Sequence, residues 1–304
     1  MKFGRRSFLL HSGAYSTAAI GLAPRPLTAK VGKANLTTVS DGYLALPGDF
    51  VFDPMPQQQL APVLSEFGIS RERLTLECNL ALYQHEDKTV LFDAGSGPDF
   101  MPTAGNVLDS LDAAGLTPEE ITHVVFTHAH PDHIWGLLDD FDDPLFSNAT
   151  YLMGRAEWDY WWNPETVHTI GEARAAFAVG ARRRMEVIEE SVELFNDGQE
   201  ILPGVLAVST PGHTPGHMSF EIRNGSESAM VLGDAIGNHH VAFRRPDWVS
   251  GSDQDGDMAA VTRTRLFDRL LSEQTQIVGF HLPQGGMGRV ERDAEGYIFV
   301  PGAA

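Results

Sequence analysis

The stretch Thr127-His128-Ala129-His130-Pro131-Asp132-His133 sets three imidazoles and a carboxylate within six residues. Val124, Val125 and Phe126 precede it in an apolar run that reads as a buried strand. Continuing the strand period of two, His128 and His130 extend to one side. Pro131 then ends ladder pairing and starts a turn, from which Asp132 and His133 emerge in another direction. One short loop thus offers two nitrogens to one cation, and an oxygen plus a nitrogen to a second. Imidazole and carboxylate are ligands of zinc and neighbouring first-row ions. Cations held in this way can activate water, and no side chain stands out as a competing nucleophile. Ser219 lacks the Gly-x-Ser-x-Gly setting of a hydrolase elbow, and Cys78, the sole cysteine, sits in an alternating run at 74–83 as a buried core thiol.

Further ligand types close other strand-like runs. His213 lies in Thr210-Pro211-Gly212-His213, Asp234 in Val231-Leu232-Gly233-Asp234, and His281 follows Ile277-Val278-Gly279-Phe280. Leu91-Phe92-Asp93-Ala94-Gly95 closes another such run. With these motifs in this order, residues 35–301 resemble the metallo-β-lactamase-fold hydrolases. The resemblance implies two divalent metal ions, expected to be Zn2+. His128, His130 and His213 would hold one, Asp132, His133 and His281 the second, and Asp234 would bridge them. It also implies that Asp93 and Thr127 support these ligands from behind; His217, at a strand start, is expected to do the same. A carboxylate has two oxygens, so one side chain can serve two cations and offset their repulsion. Two metals about 3.5–4 Å apart can lower the pKa of a shared water enough to supply a bridging hydroxide. Asp132 is placed to accept a hydrogen bond from it and orient it.

The elements that must position these residues follow from periodicity. Strands are expected at 74–84, 88–93, 122–126, 205–209, 217–223, 228–233 and 276–280, and a hairpin turning at Asp41-Gly42 within 36–46. Helices are expected over 106–114, 155–162, 172–190 and 258–271. Their assembly into an α/β fold, a four-layer αββα sandwich, is what the resemblance implies.

A chain of 304 residues, 42% hydrophobic and without repeat or linker, reads as one compact domain. Its formal charge of -19 excludes nucleic acid and anionic membrane surfaces as partners. At the N-terminus, Gly4-Arg5-Arg6-Ser7-Phe8-Leu9-Leu10 and a modest apolar stretch at 14–23 resemble a Tat-type signal peptide over residues 1–29. Cleavage is expected after Ala29 or Ala23, leaving 30–304 as a periplasmic hydrolase domain. The apolar stretch is too short, and too rich in Gly, Ser and Thr, for stable membrane insertion. The expected partner is a small-molecule substrate, and a homodimer is compatible with the sequence.

Trp158, Trp161 and Trp162 recur at i, i+3 and i+4 on one helical face, and Phe243 and Trp248 follow Asp234. Related hydrolases build substrate pockets at both places, yet the same spacing serves an ordinary core stripe. Both readings stay open for each aromatic. The motif 39–47 and the C-terminal segments 285–290 and 297–301 are most similar to the methyl parathion hydrolase-like branch, whose members hydrolyse organophosphate triesters, aryl esters or lactones. The expected function is a dinuclear-metal hydrolase of ester, lactone or phosphotriester bonds, with aryl esters or aromatic lactones first. The alternative is an N-acyl homoserine lactone hydrolase, though such enzymes typically carry a Tyr three residues after the bridging Asp, where this chain has Gly237. A zinc β-lactamase fits less well, since those enzymes lack the bridging Asp. A flavodiiron-type oxidoreductase usually has a carboxylate where this chain has His130.

Overall fold

Alternating strands give each sheet two apolar faces, and the chain buries all of them. A computed structural model describes residues 26–302, so the expected leader up to residue 25 lies outside the described residues. One sheet runs β1 (Leu27–Val31), β2 (Ala34–Pro47), β3 (Arg73–His85), β4 (Lys88–Phe92), β5 (His123–Phe126), β6 (Thr150–Gly154), β7 (Glu193–Phe195). The other runs β8 (Glu200–Leu202), β9 (Val205–Ser209), β10 (Met218–Asn224), β11 (Glu227–Val231), β12 (Gln276–Val278), β13 (Met287–Arg292), β14 (Tyr297–Pro301). Strands β4 to β7 are parallel to one another, as are β11 and β12; the other neighbours are antiparallel.

The period of two builds the layers. Val125 of β5 turns toward the second sheet and packs with Val90, Phe92 and Phe220, whereas Val124 and Phe126 turn the other way. There they meet the helices Gln57–Phe67, Arg155–Trp162 and Ala175–Ile188 through Leu60, Trp161 and Met185. On the second sheet Ala229 and Val231 face inward, while Met230 faces Phe267 and Leu270 of the helix Gly256–Glu273. Asp255 caps that helix by accepting the Met258 N–H at 3.0 Å. Three apolar layers between four layers of backbone make the expected αββα sandwich. Fully burying a side chain such as Phe267 or Phe220 contributes roughly 1.5–3 kcal/mol.

The expected hairpin is a correction: residues 34–47 form one long strand, β2, with a register shift between Ser40 and Gly42. Asp41 kinks the strand instead of reversing it, because its buried carboxylate is engaged elsewhere. It accepts the Ser96 N–H at 2.8 Å and the Val107 N–H at 3.0 Å. Gly42 has φ +100, and a Cβ there would lie 2.3 Å from the Thr103 carbonyl oxygen. The helix expected over 172–190 divides into a 3-10 turn, Glu172–Arg174, and the helix Ala175–Ile188. At the other end, Leu27, Thr28 and Ala29 pair with Thr38, Thr37 and Leu36. A cut after Ala29 would therefore remove most of β1, whereas one after Ala23 leaves it whole. Among the described residues no helix is long and apolar enough to cross a membrane.

Candidate metal centre

Loops following β4, β5, β9, β11 and β12 converge at one edge of the sandwich, beyond the carboxyl ends of strands where open α/β sheets form their clefts. They are tied to one another through the backbone. Asp93 N–H bonds to the Val125 carbonyl, Met218 N–H to the Thr127 carbonyl and Leu232 N–H to the Val278 carbonyl, each at 2.9 Å. Asn79 of β3 holds the last loop, its Nδ2 donating to the carbonyls of Phe280 at 3.0 Å and Leu282 at 2.9 Å.

Two groups of ligand atoms result: His128, His130 and His213 in one, and Asp132, His133, Asp234 and His281 in the other. Within each group the atoms lie within 4.8 Å of one another, and all seven side chains are buried. Asp234 touches both groups. Its Oδ2 is 3.3 Å from His213 Nε2 and 3.2 Å from His281 Nε2, and its Oδ1 is 3.4 Å from His133 Nε2.

Each imidazole has its outward nitrogen occupied. His133 Nδ1 meets Asp93 Oδ2 at 2.8 Å, and Asp93 also accepts the Thr127 N–H at 2.7 Å and its hydroxyl. That hydroxyl oxygen is 3.0 Å from His128 Nδ1. His281 Nδ1 donates to the Glu77 carbonyl at 2.8 Å, and His213 Nδ1 meets Asp253 Oδ1 at 3.1 Å. Gln254 Nε2 donates to His130 Nε2 at 3.2 Å. Where the imidazole is neutral, the acceptors on the outward nitrogens of His128, His133, His213 and His281 leave the inward nitrogen its lone pair. His130 Nδ1 stands 3.0 Å from His128 Nε2 and 2.9 Å from His213 Nε2. Asp132 Oδ2, His133 Nε2 and Asp234 Oδ1 are buried with no hydrogen-bond partner. Buried polar atoms are normally paired, so lone pairs facing one another in this way fit cations between them.

The electrostatics divide the two groups. Burial, then the neighbouring imidazoles, holds His128 and His130 neutral, well below the usual histidine range. Burial would lower His133 and His281 too, but the Asp132 and Asp234 carboxylates override it and raise both. Burial likewise pushes Asp234 upward, and the His281 and His133 imidazoles override that, holding it well below the carboxylate range. His217 serves from behind. Its Nε2 accepts the Asp234 N–H at 3.0 Å, so its Nδ1 donates to Thr210 Oγ1 at 2.8 Å, and Thr210 passes on to Ser219 at 2.9 Å. Burial, then His213, lowers its pKa to about 3, which keeps it neutral. Ser219 spends its own proton on the Leu232 carbonyl. Burial raises the Cys78 thiol to about 12, as suits a core side chain.

The groups open into a cleft of about 290 Å³, in which His130, Asp132, His213, Asp234 and His281 line the floor. The expected aromatic walls need correcting: Trp158, Trp161, Trp162, Phe243 and Trp248 do not line it. Trp158 stacks on Trp162 at 5.1 Å, Phe243 packs on Phe267 beneath the second sheet, and Trp248 lies under the Arg245 guanidinium at 4.4 Å. Trp161 is drawn inward by its Nε1 bond to Glu157 at 2.6 Å. His239 and His240 rest on Phe67 and Phe52 instead of entering the cleft. The walls come instead from β2 and β3, through Leu44, Leu46, Leu74 and Leu76, with Phe50 and Phe177.

Sequence reasoning missed two carboxylates. Asp253 braces His213 while accepting Arg263 Nη1 at 3.3 Å; its partners lie far along the chain, and nothing local marks it. Glu157 is fully buried and joins two ligand loops. It accepts the Ala129 N–H at 2.9 Å, between His128 and His130, and on the His213 side the Thr214 hydroxyl at 2.7 Å and the Gly216 N–H at 3.1 Å. Burial raises its pKa, and these donors oppose the rise. A Cβ at Gly216 would sit 2.0 Å from the Glu157 nitrogen, so glycine permits this approach. An acid in the same turn as Trp158 and Trp161 was the available signal.

The model of the family described as Metallo-beta-lactamase superfamily matches residues 74–275. Among solved structures, the chain is similar to hydrolase AbOPH in the beta lactamase superfamily, at 26% identity and TM-score 0.85 over 93% of this chain and 99% of that one. It is similar also to AidC, a dizinc quorum-quenching lactonase solved with a product, N-hexanoyl-L-homoserine, at 25% identity and TM-score 0.85 over 92% and 98%. An N-acyl homoserine lactonase of Bacillus cereus is 23% identical over 180 residues, 57% of this chain and 61% of that protein. The N-acyl homoserine lactonase AttM of Agrobacterium fabrum is 27% identical over 128 residues, 41% and 44%. The chain thus spans about half the length of these curated relatives.

Glu157→Gln puts an amide N–H₂ where donors now converge. It should weaken zinc binding at the His128, His130 and His213 group by roughly 10–100-fold, the usual cost of losing a contact behind a ligand. Competition against a chromophoric chelator measures this. Wild-type affinity in the variant would show that the clamp does not set the ligand loops.

Proposed function

The chain belongs to the metallo-beta-lactamase superfamily, and on that premise we propose that it is a dinuclear-metal hydrolase of carboxylic esters, preferring lactones that carry an acyl chain. The observation that carries this reading is the cleft itself: ligand groups on the floor and aliphatic side chains, Leu44, Leu46, Leu74 and Leu76, on the walls. Such walls suit a flexible acyl chain by burial of apolar surface. The tryptophans on which an aryl preference would rest lie outside the cleft. Phe50, Phe100 and Phe177 keep aryl esters as the second reading.

His128, His130 and His213 would hold one ion and Asp132, His133 and His281 the other, with Asp234 reaching both. Divalent zinc suits these nitrogen and oxygen donors, and two such ions lower the pKa of a shared water and polarise a carbonyl oxygen. Asp132 lines the cleft, and its Oδ2 has no hydrogen-bond partner among the described residues. It is therefore placed to take a proton from the attacking water and return it to the leaving alkoxide. The apolar walls exclude bulk water from this exchange. Gly237 also lines the cleft with open space where a Cβ would be, so no phenol there orients the substrate carbonyl.

We propose further that the chain is exported by the twin-arginine route, with Arg5-Arg6 as the signal, and is cut after Ala23 so that β1 stays whole. N-terminal sequencing of secreted protein should then begin at Pro24. A start at Lys30, or normal export of the Arg5→Lys/Arg6→Lys precursor, would contradict this.

The activity test is a panel on metal-replete protein: N-acyl homoserine lactones, aryl esters, a phosphotriester and a β-lactam. The acyl lactones should lead in kcat/KM by at least about tenfold, near 1.4 kcal/mol of transition-state binding. Activity should vanish on chelation and return with zinc. Aryl esters leading by the same margin would reinstate the second reading, and hydrolysis that survives chelation would contradict both.

A further inference from the structure

Among the described residues Arg174 is the one Lys or Arg side chain lining the cleft, in a wall that is otherwise largely apolar. It ends the 3-10 turn Glu172–Arg174, and Phe177, three residues on, lines the same cleft with its ring 5.8 Å from that of His130. The guanidinium is held in place. Its carbon lies 5.4 Å from the Phe50 ring centroid, and Nη2 donates to the Gly251 carbonyl at 2.6 Å. That is its single hydrogen bond among the described residues, although a guanidinium has five N–H donors, and Nε is buried without a partner.

Two buried guanidiniums of this chain are neutralised, Arg263 by Asp253 and Arg244 by Glu66 and Asp293, whereas that of Arg174 is half-buried. Among the described residues Arg174 forms no ion pair. Asp253, the carboxylate whose charge it feels, is committed to His213 and Arg263. A half-buried guanidinium in a largely apolar cleft, with no carboxylate partner and Nε unpartnered, has donors left for an arriving acceptor. A brace to one backbone carbonyl needs neither the charge nor the remaining donors.

We propose that Arg174 is a specificity-determining residue, and that the substrate carries a hydrogen-bond-accepting oxygen, an amide carbonyl or a carboxylate, outside the bond that is cleaved. This rests on the hydrolase reading above and assigns the part of the substrate remote from the ligand groups. The scissile carbonyl belongs at the floor with Asp132 and Asp234. Arg174 stands on the Phe50 and Phe177 wall, where the planar fork of guanidinium donors meets a planar oxygen acceptor. The substrate class is then an ester or lactone with an acylamino or acidic substituent, not a plain alkyl lactone.

The test uses matched ligands on metal-replete, full-length protein. An α-acylamino-γ-butyrolactone is compared with an α-alkyl-γ-butyrolactone of equal length, and with one whose chain ends in a carboxylate. Cyclopentanone analogues of all three, in which carbon replaces the ring oxygen so that nothing can be cleaved, report binding by calorimetry. Arg174→Met should lose at least tenfold in kcat/KM and in analogue affinity for one acceptor-bearing member, and less than twofold for the alkyl member. Arg174→Lys should recover part of the loss. The member that suffers identifies the acceptor. Equal losses across the series, or none, would overturn the proposal and leave Arg174 a brace for the Gly251 loop. If no lactone is hydrolysed, the hydrolase reading fails, while the cyclopentanone affinities still decide the role of Arg174.

Discussion

Five imidazoles and two carboxylates stand within a few ångströms of one another in the interior, and the rest of the structure answers to that constraint. Buried charges and buried lone pairs are costly unless they are paired. The chain pairs only the outward half of each imidazole, through Asp93, Thr127, Glu77, Asp253 and Gln254. The inward half is left as facing ring nitrogens and unpartnered carboxylate oxygens. Such an arrangement is stable with positive charge at its centre, and Asp234, touching both groups, is where two such charges would be shared.

Holding that arrangement explains features that otherwise look unrelated. The ligand loops follow strand ends, since strands fixed in two packed sheets move least. Glu157 ties the loop of His128 and His130 to that of His213, and Asn79 ties the His281 loop to β3. His217 holds the backbone of Asp234, and close-packed glycines allow the approach: Gly216 meets the Glu157 backbone, and Gly233, at φ +54, meets the His217 ring. Above this floor the walls are largely apolar, aliphatic and aromatic together, with Arg174 as the charged exception that gives the cleft a direction.

The residues of the two groups were legible in the sequence because their information is local. His128, His130, Asp132 and His133 share one turn, and His213, Asp234 and His281 each follow a strand-like run. What braces them was not legible, because the braces act across the chain: Glu157 reaches Ala129 and Gly216, and Asp253 reaches His213. Asp41-Gly42 reads as a turn, since nothing nearby shows that its carboxylate receives N–H groups 55 and 66 residues later. The tryptophans misled for a different reason. A spacing of i, i+3, i+4 defines a face, but not what that face meets. Leu44, Leu46, Leu74 and Leu76 alternate like any core strand, and only the packing shows that they open on the cleft.

The central claim is that this interior is built around two cations that share Asp234. The most direct measurement is an anomalous difference map recorded at the zinc absorption edge from crystals of zinc-loaded protein. The account predicts two peaks about 3.5–4 Å apart, one among His128, His130 and His213, the other among Asp132, His133 and His281, with the Asp234 carboxylate between them. A single peak, or two peaks with Asp234 turned away from either, would contradict it.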